Sequence, residues 1–351
     1  MIRLLGPNTN LDFADLSKLN GPRFIVTVDT EEEFDWDGPF TRTEHGITHV
    51  PAISRFQQLC DENGVQPAYL VDYPIATDPT AIALLGGFAR DNRAAIGVQL
   101  HPWVNPPFLE DVNVHNSFAS NLSPELEREK LSRLHAAIVN NFGVMPDIYR
   151  AGRYGAGAAT AGILCDLGVC IDSSARARFD YSAQGGPNYT ECPVKPFWLI
   201  PGTVLELPVT TVFGGALRTS GNMLFGRAFS SDAARSMMSR TGLLERIALT
   251  PEGIPLEKAI EGIDLALAQG VGILNFSFHS SSLAPGNTPY VRTNADLETF
   301  YAWWEGVFDY LLQRGVSACT VEEIADLKNS ETGADHLPLA STPSFPLSAR
   351  K

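Results

Sequence analysis

The sequence has no apolar run long enough to cross a bilayer. It has no internal repeat and no Cys-x-x-Cys pair. Its five cysteines, Cys60, Cys165, Cys170, Cys192 and Cys319, are odd in number and scattered, which reads as reduced structural thiols rather than a disulfide framework. Basic residues are scarce: 26 Lys and Arg stand against 40 Asp and Glu, for a net charge of -14. That balance argues against nucleic acid or an anionic membrane as a main partner, since both need basic patches. It leaves neutral sugars and amides open. The first residues carry one early positive charge and an apolar stretch too short for a signal peptide, so a cytoplasmic location is expected.

What the chain does have is core-forming material. Of 351 residues, 44% are hydrophobic and 19% charged, enough for a large core without staples. Residues 1–20 read as a peripheral arm, 21–328 as the folded domain, and the Pro-, Ser- and Thr-rich stretch 329–351 as a loosely ordered tail. Apolar, β-rich runs recur at Arg23–Asp29, Ala68–Asp72, Ala95–Leu100, Gly168–Asp172, Val204–Val209 and Gly272–Phe278. Runs apolar on both faces suit strands buried between layers. Helical patterns lie between them: Ile53–Asn63, Ser123–Phe142, Ala158–Leu167, Pro255–Gln269 and Asp296–Arg314. Such alternation predicts an α/β fold with a parallel sheet, open or closed into a barrel, with functional loops at the strand C-terminal ends.

Polar groups stand at those ends. The first run ends in Asp29-Thr30-Glu31, and alternation puts both carboxylates on one face, a spacing that suits a base beside a metal ligand. The third ends in Gln99-Leu100-His101-Pro102-Trp103. A short segment, Asp147–Tyr149, leads into Arg150, Arg153 and Tyr154. Asp172-Ser173-Ser174, Glu206 and His279 follow on later strands. Trp103 and Trp36 are either core residues or platforms for a sugar ring. His45 and His49 have an i, i+4 spacing, but they sit in a Gly- and Thr-containing loop rather than a helix.

Taken together, these blocks resemble the polysaccharide deacetylases, the NodB-type carbohydrate esterases, over roughly Pro22 to Leu327. Thr27-Val28-Asp29-Thr30-Glu31 is similar to that family's first acidic block, Ile96-Gly97-Val98-Gln99-Leu100-His101 to its histidine block, Tyr149-Arg150-Ala151-Gly152 to its arginine block, and Phe276-Ser277-Phe278-His279 to its final block. Asp172-Ser173-Ser174 resembles a strand-end motif of its amide-hydrolysing members. The resemblance implies a distorted, incomplete (β/α) barrel. It implies Asp29 as catalytic base, Arg150 as the residue bracing it and His279 as general acid. Glu31 and His101 are the metal ligands it leaves, for a divalent cation, with zinc the expected ion. Substrate contacts fall to Trp103, Arg153, Tyr154, Asp172 and Glu206. Two positions depart from the family pattern: Gln99 and Trp103 stand where the family places its pair of histidine ligands, and a neutral amide is a poor zinc ligand.

The implied activity is metal-assisted hydrolysis of an amide, most simply an N-acetyl group on a sugar or glycan precursor. A backbone N–H near Tyr154 would help to stabilise the oxyanion. Two alternatives stay open: a glycan-binding barrel that has lost its metal, and a small-molecule cyclic amide hydrolase of the allantoinase-like kind. Trp303, Trp304, Phe308 and Tyr310 are many aromatics for one helix, and a surplus would suit a homodimer contact.

Overall fold

In the computed structural model the described residues are 11–43, 45–221, 224, 238 and 240–330. The expected tail therefore lies almost wholly outside them, and the expected arm partly so. One curled sheet dominates. Its strands are β1 (Arg23–Thr30), β2 (Ala68–Val71), β3 (Ala95–Leu100), β4 (Ile148–Ala151), β5 (Ile171–Asp172), β6 (Phe197–Ile200), β7 (Val204–Glu206), β10 (Ile273–His279) and β11 (Ser317–Ala318). The order is β10-β1-β2-β3-β4-β5-β7-β6, with β11 also against β1. All neighbours run parallel except β6 with β7.

The sheet does not close on itself between β7 and β10. An antiparallel ribbon, β8 (Thr211–Gly214) and β9 (Glu245–Ala248), lies at that gap. The Thr210 N–H donates to the Asn275 carbonyl at 3.1 Å, and the Ser277 N–H to that of Leu249 at 3.2 Å. These bonds stitch the ribbon to β10.

Period-two alternation sorts each strand into two faces. Outward residues meet the helices in the main core: Val26 and Val28 of β1, Tyr69 and Val71 of β2, Phe276 and Phe278 of β10. Inward residues make a second, smaller core: Ile25, Leu70, Ile148, Ile171, Leu205 and Ile273. The C-terminal residues Cys319, Val321 and Ile324 belong to this inner cluster. The inside of the barrel is thus filled at one end and polar at the other. Inward-facing Gly97 marks how narrow it is, since a Cβ there would meet Leu70 Cδ2 at 2.4 Å and Ile148 Cγ2 at 2.7 Å.

The helices follow their sequence signals. Ser123 caps Pro124–Phe142 by accepting from the Leu126 N–H at 3.3 Å, and Gly143 ends it at φ 71°. Thr293 and Asp296 form a capping box at Asn294–Gln313. Trp303, Trp304 and Phe308 of that helix are buried, with Phe24, Phe276 and Phe278 against Trp304 or its neighbours. Tyr310 donates to Asp264 Oδ2 at 2.7 Å. Trp303, Trp304 and Phe308 are thus taken up by packing within the chain, while Tyr310 is half-buried. The helices Tyr73–Thr77 and Pro79–Arg90 were not expected. Asp72 caps the first through the Ile75 N–H at 2.9 Å, and Asp78 the second through Thr80 and Ala81.

Candidate active site

The polar end of the barrel opens into a cavity of about 290 Å³. Asp29, Glu31, His101, Trp103, Arg150, Arg153, Tyr154 and His279 all line it. Eight of the ten residues singled out from sequence are therefore brought together. Asp172 and Glu206 are not among its walls. The reason is parity. Asp172 pairs with Tyr149 and with Glu206 across the sheet, so all three share the outward face. The next residue, Ser173, points inward instead and binds Arg150. Asp172 Oδ2 and Glu206 Oε2 are buried without partners. Burial pushes Asp172 up to about 6, and burial together with Asp172 pushes Glu206 well above the carboxylate range.

Beneath the cavity, Arg150 is locked. Its Nε donates to the Ser173 carbonyl at 2.9 Å, and its Nη2 to Thr27 Oγ1 at 2.7 Å and Ser173 Oγ at 3.0 Å. Its Nη1 donates to Asp29 Oδ1 at 2.5 Å. Asn275 of β10 completes the lattice, accepting from Thr27 Oγ1 at 3.0 Å and donating to Ser173 Oγ at 2.9 Å. Residues of β1 and the end of β5, backed by Asn275 of β10, thus hold one guanidinium under Asp29.

Asp29 Oδ2 faces the other way. His279 is its register partner across β1 and β10, and His279 Nε2 stands 3.9 Å from it and 3.9 Å from Glu31 Oε1. His279 Nδ1 is 2.7 Å from Glu252 Oε2. Burial works against a charge on this ring, but Glu252, Glu31 and Asp29 outweigh it and raise the imidazole to about 9. Trp36 meets the ring edge-on, with centroids 5.0 Å apart. Glu252 was not anticipated. It lies just beyond β9, so the ribbon at the barrel gap delivers it.

His101 sits between two adjacent acids. Its Nε2 is 3.2 Å from Glu31 Oε2, and its Nδ1 is 2.8 Å from Glu32 Oε2. Trp103 stacks on the ring at 4.3 Å and donates its indole N–H to Glu32 Oε1 at 2.7 Å. Behind Glu32 stands buried Asp72, which accepts from the Glu32 backbone N–H at 2.7 Å. Burial and the adjacent Glu32 push Asp72 well above the ordinary carboxylate range. Burial opposes protonation of His101, yet Glu32 and Glu31 raise it well above the usual imidazole range.

Two donor sets could hold a cation. Glu32, Asp72 and His101 offer ligand atoms within 4.8 Å of one another. That group is fully buried, and its atoms are tied to Trp103 and to backbone N–H groups. The set that lines the cavity is Glu31, His101 and Gln99. Gln99 donates from Nε2 to Glu31 Oε2 at 3.0 Å, while its Oε1 is buried and has no partner. A carboxylate, an imidazole whose far nitrogen is backed by a second carboxylate, and an orphaned amide oxygen together fit a divalent cation. Trp103 does not belong to the set, because an indole N–H only donates. His49 is also outside it, spanning Glu33 at 2.9 Å and Ser280 at 2.8 Å.

No protein-family profile matches the sequence, and no curated protein matches it. Solved structures do. The chain is similar to a candidate polysaccharide deacetylase from Mycobacterium smegmatis, at 20% identity over 97% of this chain and 100% of that one, with a TM-score of 0.50. A chitin deacetylase from the fungus Colletotrichum lindemuthianum aligns at 14% identity over 89% of each chain, TM-score 0.43. A family 4 carbohydrate esterase from Streptomyces lividans, in complex with acetate, aligns at 10% identity over 85% of this chain and 91% of that one, TM-score 0.39. At such identities the likeness to the first of these shows the fold. It is the distorted, incomplete (β/α) barrel of the NodB-type polysaccharide deacetylases. No helix among the described residues is long and apolar enough to cross a membrane.

Proposed function

We propose that this chain is a divergent NodB-type deacetylase that hydrolyses the amide of an N-acylated sugar. One observation carries the reading. Asp29 and His279 face each other across the cavity, Oδ2 to Nε2 at 3.9 Å, and each is held from behind by its own ion partner. A carboxylate and a protonated imidazole on opposite sides of one small space are the base and acid that amide hydrolysis needs.

Asp29 Oδ2 takes the proton of the attacking water, while Arg150 holds the carboxylate in place through Oδ1. His279 gives the Nε2 proton to the departing amine, and Glu252 keeps the ring aimed. Glu31, His101 and Gln99 Oε1 would hold a divalent cation, zinc being the first to test. When bound, such a cation supplies Lewis-acid polarisation of the amide carbonyl and makes water more acidic. Trp36, Trp103 and Tyr154 line the cavity with aromatic surface that a sugar ring would pack against.

A second reading has one observation in its favour. Both nitrogens of His101 already meet carboxylates, so the ring has its polar partners without a metal. A metal-free glycan-binding barrel would look the same. Metal analysis of the purified protein separates the two. Zinc or cobalt that binds the wild type and not Glu31→Gln supports the enzyme. Absence of binding, with no effect on melting, sinks the metallohydrolase.

Activity is tested by acetate release from a panel of N-acetyl sugars, with cyclic imides beside them for the allantoinase-like alternative. The Asp29→Asn variant should keep its circular dichroism spectrum and lose turnover. Wild-type turnover in that variant would remove Asp29 from its role.

A further inference from the structure

The cavity has a second, basic wall that the hydrolytic residues do not use. Arg176 and Arg153 line it on either side of Tyr154 and Tyr181, whose rings stack 5.8 Å apart. The Arg176 guanidinium lies 4.0 Å from the Phe179 ring and 5.2 Å from that of Tyr154. Its Nε is buried and has no hydrogen-bond partner. The Arg153 guanidinium lies 4.1 Å from the Phe118 ring and spends its hydrogen bonds on neutral groups, Ser117 Oγ at 2.5 Å and the Gln184 side chain. Burial pulls this guanidinium below its usual value.

Neither arginine has a carboxylate within ion-pair distance among the described residues. Every other cation in the cavity wall has one: Arg150 has Asp29, His279 has Glu252, and His101 has Glu31 and Glu32. The contrast is sharp in a chain with 40 acidic residues and 26 basic ones. A half-buried cation without a counter-ion is costly unless a ligand supplies the charge. A planar guanidinium held by aromatic rings suits a carboxylate or phosphate.

We infer that the substrate is an anionic N-acyl sugar, bearing a carboxylate or phosphate that Arg176, assisted by Arg153, binds. This rests on the reading above that the cavity is where the sugar sits. The residue types set the polarity of the pose: the amide toward the acids, the anion toward the arginines.

Calorimetric titration of the purified full chain with N-acetylglucosamine, N-acetylglucosamine phosphate and N-acetylmuramic acid tests it. At least one charged sugar should bind about tenfold or more tighter than the neutral one, the gain expected of charge-assisted hydrogen bonds. Which of the two gains separates phosphate from carboxylate. The preference should vanish in Arg176→Gln and return in part in Arg176→Lys. Should Arg176→Gln fail to fold, Arg153→Gln must narrow the same preference. Equal affinity for charged and neutral sugars overturns the inference. So does a preference that survives in Arg176→Gln, or a failure of both charged sugars to bind. Acetate release tells the two readings apart. Release from the neutral sugar as fast as from the charged ones sinks the anion site and spares the deacetylase. Preferential binding without acetate release from any sugar does the reverse.

Discussion

His279 is joined twice to one carboxylate: its backbone N–H meets Glu252 Oε1 at 3.0 Å and its Nδ1 meets Glu252 Oε2 at 2.7 Å. The pairing fixes which nitrogen faces Asp29. Replacing Glu252 with Gln keeps the shape and removes the charge that holds the ring protonated. Turnover should fall by about 10²-fold, the low end of what a positioned acid contributes. The Michaelis constant should change little. Steady-state kinetics on N-acetyl sugars measures both, and an unchanged turnover would dissociate Glu252 from the chemistry.

Arg150 carries structure as well as chemistry. It is buried and makes four hydrogen bonds to three residues, of which Asp29 is charged. Arg150→Met strips buried Asp29 of its close ion partner, leaving it only His279 at 3.9 Å, and removes one hydrogen bond each from Thr27 and the Ser173 hydroxyl. Breaking a buried ion pair from one side costs about 3–5 kcal/mol. Urea denaturation should show a loss of that size. A loss below about 1 kcal/mol, the scale of an exposed pair, would mean that Asp29 relaxes toward solvent.

Gly152 abuts the imidazole of His101. A Cβ there would lie 2.3 Å from His101 Cδ2 and 2.7 Å from the Leu100 carbonyl. Gly152→Ala must therefore displace the His101 ring or the strand that carries it. We expect destabilisation of about 1–3 kcal/mol from overpacking. Zinc affinity should fall by more than that strain alone explains. Thermal denaturation with and without zinc reads both, and an unchanged zinc-induced shift would place the cation elsewhere.

Stability should decline as pH rises. Burial lifts Glu127 to about 7 from an ordinary 4.5, although Thr160 donates to it. Below about 4.5 both folded and unfolded chains hold this proton. Between 4.5 and 7 the unfolded chain releases it and the folded one keeps it, so stability drains away across that window and is flat above. Asp172 and Glu206, also raised, act in the same sense. Glu127→Gln should therefore gain about 3 kcal/mol over wild type at pH 8 and little at pH 4. Denaturant midpoints at the two pH values check it. A wild type more stable at pH 8 than at pH 5 would contradict the burial argument.

The fold was legible because β1, β3 and β10 are largely apolar runs that end in chemistry-bearing residues. Asp29 and His279 could be read for that reason, and Arg150 from the short segment Asp147–Tyr149 that leads into it. The parity of short strands could not. Asp172 and Glu206 close strands of two and three residues, where nothing in the local pattern says which of two neighbours points inward. Ser173 took the inward place. Glu252 was hidden for a different reason: its position comes from the ribbon at the barrel gap, a non-local feature, while its surroundings, Thr250-Pro251-Glu252-Gly253, read only as a turn. Arg176 sits in irregular chain past Asp172, with no periodicity to orient it. The helix Pro79–Arg90, capped by Asp78 and with Gly86 buried within it, was not read from the sequence.

The lattice under Asp29 ties together segments far apart along the chain. Arg150 meets Asp29 across 121 residues, Thr27 meets Asn275 across 248, and Asn275 meets Ser173 across 102. Contacts with such large sequence separation close late, after the entropy of the intervening loops has been spent. Ion pairing at Asp29 is therefore a report of completed folding. A ribosome-bound chain that has not yet released residues 273–279 lacks both the acid and the clasp on Thr27. Truncation anywhere before β10 should yield a protein that is collapsed and inert, and catalytic competence should appear in one step with the last strand.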